Sequence, residues 1–259
     1  MAAAPVVVLL LLSGCALGQT EATAVAVLVE PTLTPTVAPT AVPTLAPTPR
    51  PSATATPLPP APTATTRLRT VDFRDWQTGE SDPPGRYRRA YDAATGEYAV
   101  EIMEEEQEWS FYSPDPTQRQ DFRIDVEGRR AGGPDGTGYG LVFRRQAPQA
   151  GQLTSERYIF YVTDQGAFGF TYVNGDNVST RIKDFIPVPG VIRVGEATNK
   201  LTVICNGSSV RLLVNDQEVY QANDLQLVKP GDVGIFAGSA PNSGQSTKVI
   251  FKGFAATTP

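Results

Sequence analysis

The 259-residue sequence contains no histidine and only two cysteines. The first absence excludes a Ser-His-Asp triad, a Cys-His pair and a His-ligated zinc. The second leaves no disulfide within the C-terminal part, because Cys205 is the only cysteine beyond Cys15. Basic charge is scarce: 22 Lys and Arg stand against 27 Asp and Glu, a formal net charge of −5. A nucleic-acid partner needs basic side chains to displace counterions, so none is expected. Aromatic residues are absent from residues 20–66 and concentrated beyond them, where both tryptophans and all nine tyrosines lie.

What is present divides into three parts. Residues 6–12 (VVVLLLL) are seven consecutive apolar residues. That is far short of the ~20 needed to span a bilayer, and it fits the h-region of an export signal. Leu12-Ser13-Gly14-Cys15 follows and resembles the bacterial lipobox. That resemblance implies cleavage before Cys15 and lipidation of its thiol, hence an exported, membrane-anchored lipoprotein facing the exterior or periplasm. The pattern departs from the usual one in that residues 1–5 carry no Lys or Arg. Residues 1–14 are therefore read as a lipoprotein signal peptide.

Residues 15–66 are read as a lipid-anchored, Pro/Thr-rich, disordered stalk. Residues 20–66 hold 11 of the 23 prolines and 13 threonines, and only Glu21, Glu30 and Arg50 are charged. Proline fixes φ and removes backbone donors, and too few large apolar groups remain to build a core. As extended polyproline II this stretch would reach up to ~145 Å, enough to hold a head clear of a lipid surface.

Residues 67–259 read as one all-β domain. Residues 121–127 (DFRIDVE) alternate polar and apolar without a break, the signature of a strand with one buried face. Residues 157–163 (RYIFYVT) and 167–173 (AFGFTYV) are aromatic and β-branched, with Asp164-Gln165-Gly166 as the hairpin turn between them. Asn206-Gly207 and Asn215-Asp216 mark further hairpins between residues 201–205, 210–214 and 218–220. Residues 98–103, 109–113, 139–145, 233–237 and 248–251 supply the remaining strands. About a dozen short strands imply a two-sheet antiparallel β-sandwich, with a barrel as the alternative.

Several of these stretches resemble concanavalin A-like, LamG-like jelly-roll modules of exported bacterial proteins. They are Val71-Asp72-Phe73 and the runs GYGLVFR (138–144), NKLTV (199–203), VRLLVND (210–216) and GDVGIFA (231–237). The resemblance spans about residues 70–256 and implies a jelly roll. The same superfamily holds laminin G modules, legume-type lectins, family 16 glycosidases and domains of the 3-keto-disaccharide hydrolase type, so it implies function only weakly.

The chemistry is sparse. The Glu-x-Asp-x-x-Glu pattern of family 16 enzymes, whose alternate acids share a strand face, does not occur. The nearest stretch, residues 101–108 (EIMEEEQE), could set Glu104 and Glu106 on one face. It reads more simply as a solvated turn or a charge-guarded edge. Two loops carry oxygen ligands, one with Asp135 and one with Asn174, Asp176 and Asn177. Each supplies too few of the six to eight oxygens that calcium takes, so calcium is only the alternative to the expectation of no cofactor and no metal. Sugar recognition would use aromatic platforms and polar hooks. Trp109, Tyr112, Tyr161 and Tyr172 are the candidate platforms. Arg144, Arg157 and Arg211 are the candidate hooks, since each lies opposite in parity to buried neighbours such as Phe143. Trp76 and Cys205 read as core. The resulting expectation is a non-catalytic binding module, with glycan or cell-wall polysaccharide as partner beside the membrane. A carboxylate-based glycoside or 3-keto-disaccharide hydrolase and a protein–protein adhesion domain are the alternatives.

Overall fold

The structure, a computed structural model, describes residues 72–104, 107–223, 225–240 and 244–259. The signal peptide, Cys15 and the stalk lie outside the described residues, as do Glu105 and Glu106. A short 3-10 turn, Phe73–Asp75, precedes fourteen strands. These are β1 (Gly79–Glu80), β2 (Tyr87–Asp92), β3 (Glu97–Ile102), β4 (Glu108–Tyr112), β5 (Phe122–Gly132), β6 (Gly138–Arg145) and β7 (Arg157–Thr163). They continue with β8 (Ala167–Val173), β9 (Ser179–Pro187), β10 (Asn199–Asn206), β11 (Ser209–Val214), β12 (Gln217–Ala222), β13 (Asp232–Gly238) and β14 (Thr247–Thr257).

The strands form two antiparallel sheets. The eight-stranded sheet runs β1-β2-β3-β14-β5-β10-β11-β12 and the six-stranded sheet β4-β13-β6-β7-β8-β9. Both sheets keep free edges, so the architecture is a jelly-roll sandwich and not a closed barrel. The alternation of β5 puts Phe122, Ile124 and Val126 in the core, while Arg123 and Asp125 face outward and join each other through two 2.8 Å bonds. β6 to β8 contribute Phe143, Tyr158, Phe160 and Phe170 to the same core, in ring contacts 5.5–6.1 Å apart for Phe143, Tyr158 and Phe170. Cys205 is fully buried, and burial pushes its thiol up to about 12. Trp76 packs on Phe73 and Phe254.

The turn chemistry follows the sequence. Asn215 and Asp216 both take positive φ, +50° and +65°, in the two-residue loop between Val214 and Gln217. That is the pair of left-handed residues a type I′ hairpin requires. Asn215 also holds the hairpin to the rest of the molecule by donating to Asn199 Oδ1 and to the Val191 carbonyl.

Three strands escape the sequence reading: the two-residue β1, β2 and β9. β2 alternates half-buried and exposed residues, and β9 is mostly exposed. Both lie at or next to a free edge, where one face of the strand lacks a packing partner and the apolar alternation that betrays a strand is weak.

Candidate functional site

The outward face of the six-stranded sheet is not a solvated surface. Val142, Ile159, Tyr161, Val173 and Phe236 form a second apolar cluster there, separate from the core between the sheets, with Tyr112 against it. β4 and β9 are the two edges of this sheet, which lie about 24 Å apart if five strand spacings are laid flat. Yet Glu108 from β4 and Arg181 and Phe185 from β9 line one cavity, of about 250 Å³. The sheet must therefore curl, and its outer face is concave. A narrower extension of about 90 Å³ shares Glu108, Tyr161, Arg181, Phe185 and Phe236 and continues towards Ile159 and Thr171.

The cleft is built on glycine. Gly138 and Gly238 line it, and a Cβ on Gly169 would overlap the Tyr161 ring. Tyr161 thus lies across the strand beside it, with its ring 5.5 Å from Phe236 and 6.0 Å from Phe185. Phe185 has φ +45° and stands half exposed as one wall. The Arg181 guanidinium sits 5.9 Å over it and pairs with Asp184 at 3.0 Å. The opposite wall includes Gly136, whose amide donates to Asp164 Oδ1 at 2.8 Å. Arg130 contacts the other oxygen of Asp164 at 2.7 Å. Desolvation raises the Asp164 carboxyl, and the Gly136 amide and Arg130 oppose it.

Among the described residues, Glu108 is the only carboxylate that lines the cleft. Its side chain meets solvent, but the surrounding walls desolvate the carboxyl and push it above the usual range, against the pull of Arg181 and Arg157. Tyr161 is 8% exposed and its hydroxyl is pushed up to about 12, first by burial and then by Glu108. It is thus a neutral donor and acceptor at any ordinary pH.

The seven residues proposed from sequence scatter. Tyr161 lies at the centre of the cleft. Tyr112 and Arg157 lie on the same concave face, where Arg157 donates to Thr154 Oγ1 and the Ser155 carbonyl. Trp109 faces the other way. It packs on Tyr87, with ring centroids 4.7 Å apart, under Arg86. Tyr172 also lies on the inner side of its strand, at the mouth of a gap between the sheets. Arg211 is on the far sheet, bound to Glu218 at 2.6 Å.

Arg144 requires a correction. It is fully buried and cannot be a surface hook. The register of β6 against β13 slips between Asp232 and Gly234, and Arg144 takes φ +52° at this bulge. The extra residue reverses parity. Arg144 turns inward and donates to the carbonyls of Leu227 (2.9 Å), Gln120 (3.0 Å) and Gly207. Arg145 takes the outward place, 4.4 Å over the Tyr112 ring and 2.9 Å from Asp232.

In the two loops considered for calcium, oxygens of Asp135 and Asn174 have partners within the protein. The Asp135 carboxylate pairs with Arg130 at 2.8 Å, and Asn174 Oδ1 accepts the amides of Asp176 and Val178 within its own turn. Among the described residues no three His, Cys, Asp or Glu side chains are grouped to hold a metal ion. Of the acidic run, Glu101 pairs with Arg88 at 2.6 Å and Glu104 approaches Arg86 at 4.0 Å. Of the described residues of that run, only Glu108 lines the cleft.

No family model matches the sequence, and no curated protein matches it. Solved structures do match. The chain is similar to the carbohydrate binding module CBM66 from Bacillus subtilis, at 14% identity and a TM-score of 0.50, over 71% of this chain and 95% of that one. It is equally similar to a Bacillus subtilis protein of unknown function with a galectin-like fold, at 11% identity and a TM-score of 0.50, over 76% and 96% of the two chains. A prokaryotic β-1,3-1,4-glucanase (lichenase) derived from a mouse hindgut metagenome matches at 14% identity and a TM-score of 0.48, over 74% and 97%. At such identities the likeness shows the fold alone: a two-sheet antiparallel β-sandwich, shared with a protein of galectin-like fold.

Proposed function

We propose that this chain is a non-catalytic glycan-binding head, carried on a lipid-anchored Pro/Thr-rich stalk through Cys15. The observation that carries the binding half is the concave cleft. It offers aromatic surface from Tyr161, Phe185 and Phe236, a carboxylate from one sheet edge and a guanidinium from the other. Sugar rings combine apolar C–H faces with hydroxyls that seek planar polar partners. The half-exposed Phe185 ring gives the C–H face a platform. Glu108 accepts from hydroxyls and Arg181 donates to them. A carbohydrate-binding module is among the structures built on this fold, which agrees with the reading, although the fold alone assigns no ligand.

The same walls support binding without catalysis. Sugar hydrolysis by the usual routes needs two carboxyl groups about 5–10 Å apart across the bond, and among the described residues the cleft is lined by one. A tyrosine hydroxyl pushed up to about 12 makes a poor nucleophile in its place. The anchoring half rests on the sequence 12–15 alone.

A glycan array followed by calorimetry on wild type, Glu108→Gln and Phe185→Ala tests the reading. A saturable polysaccharide or oligosaccharide ligand should appear, weakened about tenfold or more by either change, the loss expected for a charged hydrogen bond or a stacking wall. No glycan ligand would overturn it. Release of reducing sugar that Glu108→Gln abolishes would replace it with the hydrolase reading. Metabolic labelling with an acyl chain, lost on Cys15→Ala, tests the anchor.

A further inference from the structure

The narrow extension of the cleft has a chemistry of its own. Its floor crosses three adjacent strands, because Ile159 of β7 pairs with Thr171 of β8, and Thr171 pairs with Arg181 of β9. An aliphatic side chain, a hydroxyl and a guanidinium thus follow one another across two strand spacings, about 10 Å. Ile159 and Phe236 are buried apolar surface, while Ser179 adds a second hydroxyl and Glu108 a carboxylate. The space is about 90 Å³, far below the ~300–1,000 Å³ of a drug-sized ligand. The wider part, about 250 Å³, has room for a sugar ring. The extension has room only for a substituent on that ring.

The lining says which substituent. Among the described residues, no hydrogen bond or ion pair engages the Glu108 carboxylate or the hydroxyls of Thr171 and Ser179. Arg181 gives Asp184 one N–H at 3.0 Å, and its planar fork holds further donors. The occupant must therefore donate to a carboxylate, accept from a guanidinium and cover an apolar wall. A hydroxyl leaves the Ile159 and Phe236 wall uncovered. A ligand carboxylate meets Glu108, a like charge. An ammonium meets Arg181 and Arg157, the two cations that act on Glu108. An acetamido group is neutral and carries an N–H donor, a carbonyl acceptor and a methyl within four heavy atoms.

We propose that the cleft selects an N-acetylhexosamine. Its ring lies in the wider part against Phe185. Its amide N–H donates to Glu108, its carbonyl accepts from Arg181, and its methyl packs on Ile159 and Phe236. This rests on the glycan-binding reading above and names the sugar class for the same site.

Two matched pairs separate this selection from glycan binding in general: chitotriose with cellotriose, and the methyl glycosides of N-acetylgalactosamine and galactose. Each is titrated by calorimetry into the full chain. In at least one pair the acetamido member should bind saturably and about tenfold or more tightly than its hydroxyl partner, as a buried methyl and a hydrogen bond to a charged group warrant. The free-amine counterpart of the bound sugar should bind no better than the hydroxyl one. The acetyl methyl should give nuclear Overhauser contacts to Ile159 and Thr171. Ile159→Phe should narrow the extension and bring the acetamido sugar down to its partner. If that variant does not fold, the wild-type contacts decide. Equal affinities within each pair, tighter binding of the free amine, a preference that survives Ile159→Phe, or an acetyl methyl remote from Ile159 and Thr171 would overturn the selection and leave glycan binding in place. Binding of some other glycan on the array, with neither pair bound, would do the same. An array that yields no ligand overturns the reading beneath it, and this inference with it.

Discussion

The two sheets of this sandwich share a core, yet they meet solvent in opposite ways. The outer face of the eight-stranded sheet is laced with ion pairs: Arg88 with Glu101, Arg129 with Glu97, Arg123 with Asp125, Lys200 with Asp216 and Arg211 with Glu218. The outer face of the six-stranded sheet instead carries Val142, Ile159, Tyr161, Val173 and Phe236, and curls around them. A sheet that needs only to stay dissolved is served by the first pattern. A concavity floored by a buried apolar cluster, with the half-exposed Phe185 ring at its wall, has the build of a ligand site. The proposed binding face is read from that difference and needs no relative.

The strongest way to break this contrast is to undo the bulge that sorts Arg144 from Arg145. Arg144→Ala leaves the carbonyls of Leu227, Gln120 and Gly207 without their shared donor in a buried site. At about 1–3 kcal/mol per orphaned group, partly relieved by water in the cavity, a loss of about 3 kcal/mol or more is expected in urea denaturation. A loss under about 1 kcal/mol would show that the inward arginine is not a structural tie. Gly169→Val comes next. The added side chain must displace the Tyr161 ring, so glycan binding should fall by at least tenfold while the sandwich stays folded, with stability down by roughly 1–3 kcal/mol. Unchanged binding would detach Tyr161 from the site.

How much of this was legible in the sequence depended on whether one residue's environment is set locally. The hairpin at Asn215-Asp216 and the alternation of β5 are local, and both were readable. The parity rule behind Arg144 is local too, and it failed because the bulge is a feature of the pairing with β13, just before which Gly231 lies against the Arg144 backbone with no room for a side chain. Tyr161 was found by composition, but Phe236 was not, although Gly234, Phe236 and Gly238 share a face on β13 and alternating glycines leave room for large neighbours. Glu108, Arg181 and Phe185 could not be joined by any pattern. They come from opposite edges of one sheet and meet only because it curls.

The carboxyl at the cleft gives a smaller, pH-dependent test of the same face. Desolvation raises Glu108 in the folded state, so the folded protein holds that proton more tightly than the unfolded chain does. The resulting stability is fully present below the unfolded carboxyl's pKa of ~4.3 and is lost as pH rises through the raised folded value. Glu108→Gln should flatten that part of the stability–pH curve and leave the protein at neutral pH no less stable than the wild type. An unchanged slope would mean that water already screens the carboxyl, and that the walls do not enclose it.

The smallest effect is expected on the other side of the molecule, and its smallness is the point. Arg211 and Glu218 form a short 2.6 Å pair, but both side chains are more than a third exposed. Exposed pairs of this kind contribute about 0–1 kcal/mol because water and the loss of side-chain freedom offset the attraction. Arg211→Ala should therefore shift the denaturation midpoint by less than about 0.5 kcal/mol and leave glycan binding within twofold of wild type. If it weakened binding as much as Glu108→Gln does, the charged face would be part of the recognition surface, and the contrast between the two sheets would no longer locate the site.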